Sequence, residues 1–347
     1  MTPKAGPLVL TMGEPAGIGG EITLKAWLAR TNQSATPFFT VADPDHLSAT
    51  AAALGFDVAI KTIENPEDAW DVFDTALPVM AEPLPGPVTP GQPSKANASA
   101  VIASIRRAAE FVRTKESCAM VTNPIHKKIL ADTGFSHPGH TEYLAELTDT
   151  ETPIMMLACP GLRVVPVTIH VALNKAIKML STDAIKGAAR ITARALTTDF
   201  GIPTPRLAIA ALNPHAGEDG MMGEEDETII APAIQTLAQE GIDVFGPAAP
   251  DSLFHTRARK TYDAVICMYH DQALIPLKTV DFDQGVDITL GLPIVRTSPD
   301  HGTAFDIAGR GIARESSLLA AMDMALEIAQ NRSSAKLGKV IGRHGPR

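Results

Sequence analysis

Ala264–Asp271 reads AVICMYHD. The apolar run, with β-branched Val265 and Ile266, has the length and composition of a strand, and it stops at His270 followed by Asp271. Two earlier stretches have the same form. Arg163–His170 (RVVPVTIH) ends at His170, and Arg206–His215 (RLAIAALNPH) passes through a short turn to His215. Helical patterns lie between and after them, at Asp183–Leu196 and Glu224–Gln239. Strands alternating with helices imply an α/β protein with a largely parallel sheet.

The alternation extends through the rest of the chain. Pro7–Met12, Pro37–Val41, Val58–Ile60 and Cys118–Thr122 read as strands. Gly20–Arg30, Asp45–Leu54 (opened by Asp43 or Asp45 as cap) and Thr141–Leu147 read as helices. Leu77–Ser94 (LPVMAEPLPGPVTPGQPS) is dense in proline and reads as a connector. Asn97–Thr114 is amphipathic, with Val101, Ile105, Ala108 and Val112 on one face and Arg106, Arg107, Glu110 and Arg113 mostly on the other. The chain closes with a helix, Ser316–Gln330, and a basic tail from Asn331. No internal repeat is visible, and composition does not mark a domain boundary.

The 347 residues are 45% hydrophobic and 20% charged, which suits a globular chain with room for two domains. A net charge of −9 repels phosphate backbones and disfavours general nucleic-acid binding. No apolar run approaches the length of about 18 residues that a membrane span needs. The opening MTPKAGPLVLTMGEPAG has too short an apolar run for a signal peptide. The three cysteines, Cys118, Cys159 and Cys267, form no C-x-x-C pair and lie in or beside apolar stretches; buried reduced thiols in a cytoplasmic protein are expected.

In open α/β sheets ligands bind beyond the carboxyl ends of the strands. Three imidazoles delivered there, His170, His215 and His270, suit Zn²⁺ or another divalent first-row ion if they meet; otherwise each caps its strand or bonds a carbonyl. Asp271 and Asp251 are carboxylates able to orient an imidazole or accept a proton, or plain turn residues. SHPGHTE (Ser136–Glu142) precedes a helix; with Thr141 as N-cap and His140 at the positive terminus it suits a phosphate, or is simply a cap. Lys278 and Arg296 flank GVDITLGLP (Gly285–Pro293). GEPAGIGGE (Gly13–Glu21) is a weak nucleotide fingerprint, and its tight turn has a structural explanation as well. DHGTAFDIAG (Asp300–Gly309) is a small-residue turn able to approach a ribose or a nicotinamide.

Together TMGEPAGIG (Thr11–Gly19), VTNPIHK (Val121–Lys127), HPGHTEYLA (His137–Ala145), LNPHAGEDG (Leu212–Gly220), MYHDQALIPLK (Met268–Lys278) and ITLGLPIVRTSPDHGTAFDIAG (Ile288–Gly309) resemble the 4-hydroxythreonine-4-phosphate dehydrogenase family of pyridoxal phosphate biosynthesis. The resemblance implies a two-domain α/β fold like that of isocitrate and isopropylmalate dehydrogenases, with largely parallel sheets, helices on both faces and a cleft between domains. Residues 1–135 plus 297–347 would form the first domain and 136–296 the second. It further implies a homodimer with a divalent ion (Zn, Mg or Co) at each active site, held by His170, His215 and His270 in a set shared between subunits. Substrate contacts carry over to His140, Thr141, Lys278 and Arg296. The family's asparagine in V-N-[IV]-T is Asp287 here; ionised Asp accepts but does not donate hydrogen bonds. Glu14, Gly20 and Asp219 also depart from the family pattern.

The implied reaction is oxidation of 4-phosphooxy-L-threonine at C3 by NAD or NADP, then decarboxylation to 3-amino-2-oxopropyl phosphate. Asp251, Asp271 and Lys278 are the candidate catalytic groups, and Asp300, His301, Gly302 and Asp306 the candidate cofactor contacts. A sibling dehydrogenase of a phosphorylated sugar acid such as 4-phosphothreonate shares most of these motifs. A non-catalytic anion or metal binder, and phosphate acyltransferase chemistry on a related fold, are the readings from other classes.

Overall fold

The structure, a computed structural model, describes residues 6–32 and 36–341. Its strands are β1 (Leu8–Thr11), β2 (Phe38–Ala42), β3 (Ile60–Ile63), β4 (Leu77–Ala81), β5 (Met120–Val121), β6 (Ile154–Cys159), β7 (Leu162–Thr168), β8 (Arg206–Ala210), β9 (Asp243–Ala248), β10 (Ala264–Tyr269), β11 (Val286–Leu290) and β12 (Arg296–Pro299). The helices are α1 (Gly19–Leu28), α2 (Pro44–Leu54), α3 (Ala69–Val72), α4 (Ala98–Arg113), α5 (Lys127–Ala131), α6 (His140–Leu147), α7 (Leu173–Met179), α8 (Thr182–Thr198), α9 (Ala231–Gln239), α10 (Pro250–Leu253), α11 (His270–Val280) and α12 (Ser316–Ile341).

The chain divides into two compact units: Met1–Pro153 with Leu292–Ala329, and Ile154–Gly291 with Gln330–Arg347. The family resemblance sets the corresponding boundaries at 135/136 and 296/297.

In the first unit the strands run β3-β4-β2-β1-β5-β12, every neighbouring pair parallel. β1 and β2 are buried throughout (LVLT, FFTVA). α4 packs Val101, Ile105, Ala108 and Val112 inward, as its amphipathic pattern predicts. Ser104 on the same face donates to Val41 O at 2.7 Å and accepts from Met12 N at 2.9 Å, so it ties the ends of two strands together.

In the second unit the order is β11-β6-β7-β10-β8-β9. The β7–β10–β8–β9 run is parallel, while β6 pairs antiparallel with β7 and β11. Its core joins Leu157, Leu162, Val164, Val265, Cys267 and Leu277. Cys118, Cys159 and Cys267 are free; burial pushes Cys118 and Cys159 up to about 11, so both stay thiols at neutral pH.

Three expectations need correction. The Leu77–Ser94 connector begins with a strand, β4, set between β3 and β2. Its pairing with β2 starts only at Val79, so Pro78 removes no donor from that ladder. The last helix does not stop at Gln330 but runs to Ile341. Asn331 Nδ2 donates to Asp199 O at 2.8 Å, and Arg332 forms a two-pronged pair with the Asp199 carboxylate at 2.8 Å, so side-chain anchors carry it on. Residues 342–347 of the basic tail lie outside the described residues. Thr141 is not the N-cap of its helix; Gly139 is, with no side-chain cap. No described helix is long and apolar enough to cross a membrane.

Candidate active site

β7, β10 and β8 are adjacent and parallel, so their carboxyl ends share one edge. His170 follows β7 in a left-handed conformation (φ 53°), and His270 opens α11 directly after β10. Their ring centroids are 5.8 Å apart. His270 Nδ1 lies 2.7 Å from Asp271 Oδ1. A carboxylate only accepts, so the ring proton belongs on Nδ1 and the lone pair on Nε2 is left for a ligand. The two rings and Asp271 border an open cavity of about 260 Å³, lined as well by Thr168, Tyr269 and α7.

Gln272 braces this edge. Buried, it accepts from Met268 N and donates to Ala211 O, each at 2.7 Å. One side chain thereby ties the end of β10 to the segment leading out of β8. In the sequence, only its place two residues after His270 marks Gln272.

His215 stands five residues beyond β8, exposed, with φ 53°. Among the described residues no group of three or more His, Cys, Asp or Glu side chains is placed to hold a metal ion. One chain thus brings together two of the three expected imidazoles. The donor set present, two imidazoles with a carboxylate orienting one of them, fits part of a borderline divalent site.

Asp251 is exposed in the first turn of α10. Lys278 is half-buried near the end of α11, with its ammonium 5.8 Å from the Phe282 ring. Asp287 is half-buried in β11, opposite Leu157 of β6.

The first unit gathers cations. Arg296, 3% exposed at the start of β12, donates from Nε and Nη2 to Thr122 Oγ1 at 3.0 and 2.8 Å, and from Nη2 to Ser298 Oγ at 3.0 Å. His140 Nε2 is shielded from solvent without a hydrogen-bond partner. Burial, and then the positive charges of Arg296 and Lys127, hold His140 well below the usual imidazole range, so it is neutral. The Lys127 ammonium lies against Gly139; a Cβ added there would meet it at 3.6 Å. An uncapped helix start with an arginine and a lysine beside it is suited to a phosphate or carboxylate. Lys127 lies in VTNPIHK, but its role emerges only from the fold.

Asp300 N donates to Ser317 Oγ at 3.3 Å, and His301 Nδ1 sits 3.0 Å from Gly302 O. Asp306 is exposed, and nothing lies within 4 Å of a Cβ added at Gly302. The Gly13–Glu21 turn serves as a clasp. Glu14 N, Gly17 N and Ile18 N donate to Pro124 O, Glu14 O and Thr303 O, and the buried Glu14 side chain accepts from Ala16 N. The amides of Glu14, Ala16, Gly17 and Ile18 are thus committed within the fold.

The sequence profile of the family described as "Pyridoxal phosphate biosynthetic protein PdxA" matches residues 33–325. The chain belongs to the PdxA family. A 4-hydroxythreonine-4-phosphate dehydrogenase of Methylorubrum extorquens is 50% identical over 338 residues, covering 95% of this chain and 97% of its own. The crystal structure of the 4-hydroxythreonine-4-phosphate dehydrogenase from Klebsiella pneumoniae superposes with a TM-score of 0.83 at 37% identity, over 94% of this chain and 100% of that one. A more distant neighbour, a terephthalate 1,2-cis-dihydrodioldehydrogenase from Burkholderia xenovorans, gives 0.61 at 26% identity, over 93% and 98%. The family resemblance read from the motifs is thereby borne out.

Proposed function

We propose that this PdxA-family chain is a cytoplasmic dehydrogenase that oxidises 4-hydroxythreonine 4-phosphate at C3 with NAD or NADP, in pyridoxal 5'-phosphate biosynthesis. The observation that carries the reading is His270, locked by Asp271 with its second nitrogen free, 5.8 Å from His170 at the cavity edge. His170 and His270 would hold the cation with His215 from a second copy of the chain. Exposed Leu173, Ile177 and Met179 on α7, beside that cavity, support such a partner. A bound Zn²⁺, Mg²⁺ or Co²⁺ supplies Lewis acidity, which acidifies the C3 hydroxyl and polarises the ketone formed from it.

The protein's own groups do the rest. Arg296, Lys127 and the start of α6 grip the phosphate, and neutral His140 and Thr141 complete its hydrogen bonds, fixing C3 for hydride transfer. Asp271 is committed to His270, which leaves exposed Asp251 to take the hydroxyl proton. The C3 hydride passes to the nicotinamide, bordered by Asp300, His301, Gly302 and Asp306. The C1–C2 bond of the β-keto acid then breaks, CO₂ departs, and its electron pair moves towards the C3 carbonyl. Lys278 anchors the substrate and returns a proton to C2, giving 3-amino-2-oxopropyl phosphate.

Asp287 favours a second reading, a sibling dehydrogenase of a phosphorylated sugar acid such as 4-phosphothreonate. An acid where the family has an amide changes which substrate group is accepted beside it. Absorbance of NAD(P)H, with cation-loaded protein, both substrates and both cofactors, decides. Turnover of 4-hydroxythreonine 4-phosphate with the higher kcat/KM supports the first reading, and preference for 4-phosphothreonate the second. No reduced cofactor from either substrate overturns both.

A further inference from the structure

Residues 215–220 form an unbroken left-handed run: His215 φ 53°, Ala216 56°, Gly217 81°, Glu218 42°, Asp219 53° and Gly220 86°. Four of the six are not glycine, and each is held in a conformation that side-chain-bearing residues rarely adopt. Such a loop persists only if its surroundings fix it.

The surroundings are a polar clamp. Asp226 is 1% exposed. Its Oδ1 accepts from Leu212 N at 2.8 Å, and its Oδ2 accepts from Asn213 N at 3.1 Å and Asn213 Nδ2 at 2.9 Å. Asn213 Nδ2 also donates to Glu225 Oε2 at 2.9 Å. The loop folds back over this cluster. A Cβ at Gly223 (φ +124°) would meet Asn213 Nδ2 at 2.6 Å, and one at Gly217 would meet Gly223 O at 3.1 Å and Asp226 Oδ2 at 3.4 Å. Only glycine permits that closeness.

We infer that Asp226, through Asn213, is the positioning residue that fixes the exposed His215 as a cation ligand. The inference rests on the reading of His215 given above. Asp226 touches no substrate; it sets the exit direction of the chain two residues before the ligand. Asp226→Asn retains the size but turns a donor towards the Asn213 N–H groups, so the clamp opens where it faces them. Asn213→Ala removes the side-chain Nδ2 contacts to Asp226 and Glu225 while leaving the backbone N–H, and serves if Asp226→Asn fails to fold.

The test is a calorimetric titration of cation-free full-length protein with Zn²⁺ and Co²⁺, together with the visible spectrum of bound Co²⁺. Wild type and both variants are compared, with His215→Ala as reference. The expected result is cation affinity about 10- to 100-fold weaker in the clamp variants, in the range for groups that orient metal ligands. Their Co²⁺ spectrum should shift towards that of His215→Ala, which a general loss of stability would not produce. Wild-type affinity and spectrum in folded Asp226→Asn or Asn213→Ala overturn the clamp while leaving the cation site standing. No cation binding by the wild type overturns the clamp and the cation reading together.

Discussion

Replacing Arg296 by methionine keeps the length of the side chain and removes its charge. The guanidinium is buried, and Thr122 and Ser298 fix its orientation, so under the proposed function a phosphate would meet an arginine that is already ordered. A hydrogen bond to a charged group contributes about 1.5–3 kcal/mol. At about 1.4 kcal/mol per factor of ten, KM for the phosphorylated substrate should rise roughly 10- to 150-fold. The loss should fall mainly on KM, because the phosphate, carried on the neighbouring C4, does not itself change in charge or bonding as hydride leaves C3 and is held equally before and during the transfer. Arg296→Lys should recover part of it, keeping the charge without the planar fork. A second readout is independent of turnover. Arg296 is the larger of the two charges that depress His140, so the His140 titration, followed by NMR, should move up in Arg296→Met. It should stay below the usual imidazole range, because burial is the largest cause. An unchanged KM, or an unmoved His140 titration, refutes the placement of Arg296 in the anion pocket.

Three further outcomes are expected. Mixing inactive His215→Ala with inactive His270→Ala, then dissociating and reassociating the chains, should restore roughly a quarter of the wild-type rate, since each mixed dimer regains one complete site of two; no recovery places all three ligands within one chain. Chelation should abolish activity and Zn²⁺, Mg²⁺ or Co²⁺ should restore it; full turnover after exhaustive demetallation rejects the cation role. His140 titrates lower folded than unfolded, so as pH falls through about 6.5 the unfolded chain takes the proton first and stability drops. His140→Gln should flatten that part of the stability–pH curve measured by denaturant unfolding, and an identical slope would contradict the assignment.

Much of the sheet is legible from the sequence because its strands are apolar throughout. PLVLTM, RVVPVTIH and AVICMYHD stand out against the helical patterns around them, and the histidines mark where the two later runs stop. β11 and β12 are harder to see. VDITL carries Asp287 as its second residue, and RTSP contributes polar groups and a proline while being fully buried, because Arg296 bonds both Ser298 and Thr122 in the interior. β9 hides behind its Gly246–Pro247 turn signal. At the site, position along the strands nominates His170, His215 and His270 together; the proximity of His170 and His270 follows from strand adjacency, while within one chain the three do not form a cluster. What the sequence leaves invisible is contact across long separations: Lys127 beside Gly139, Gln272 reaching Ala211, and Asp226 under Asn213. Each is a polar residue whose periodicity matches that of an ordinary surface group.

The Arg296–Thr122 bond joins positions 174 residues apart, and everything from Ile154 to Gly291 belongs to the other unit. During translation the ribosome must therefore release an entire second body before the sixth strand of the first can enter its sheet. A product that terminates before residue 296 lacks both the guanidinium and Ser298, and under the proposed function it would hold the phosphorylated substrate more weakly. Under that reading, full substrate capture would await a polypeptide whose synthesis has all but finished.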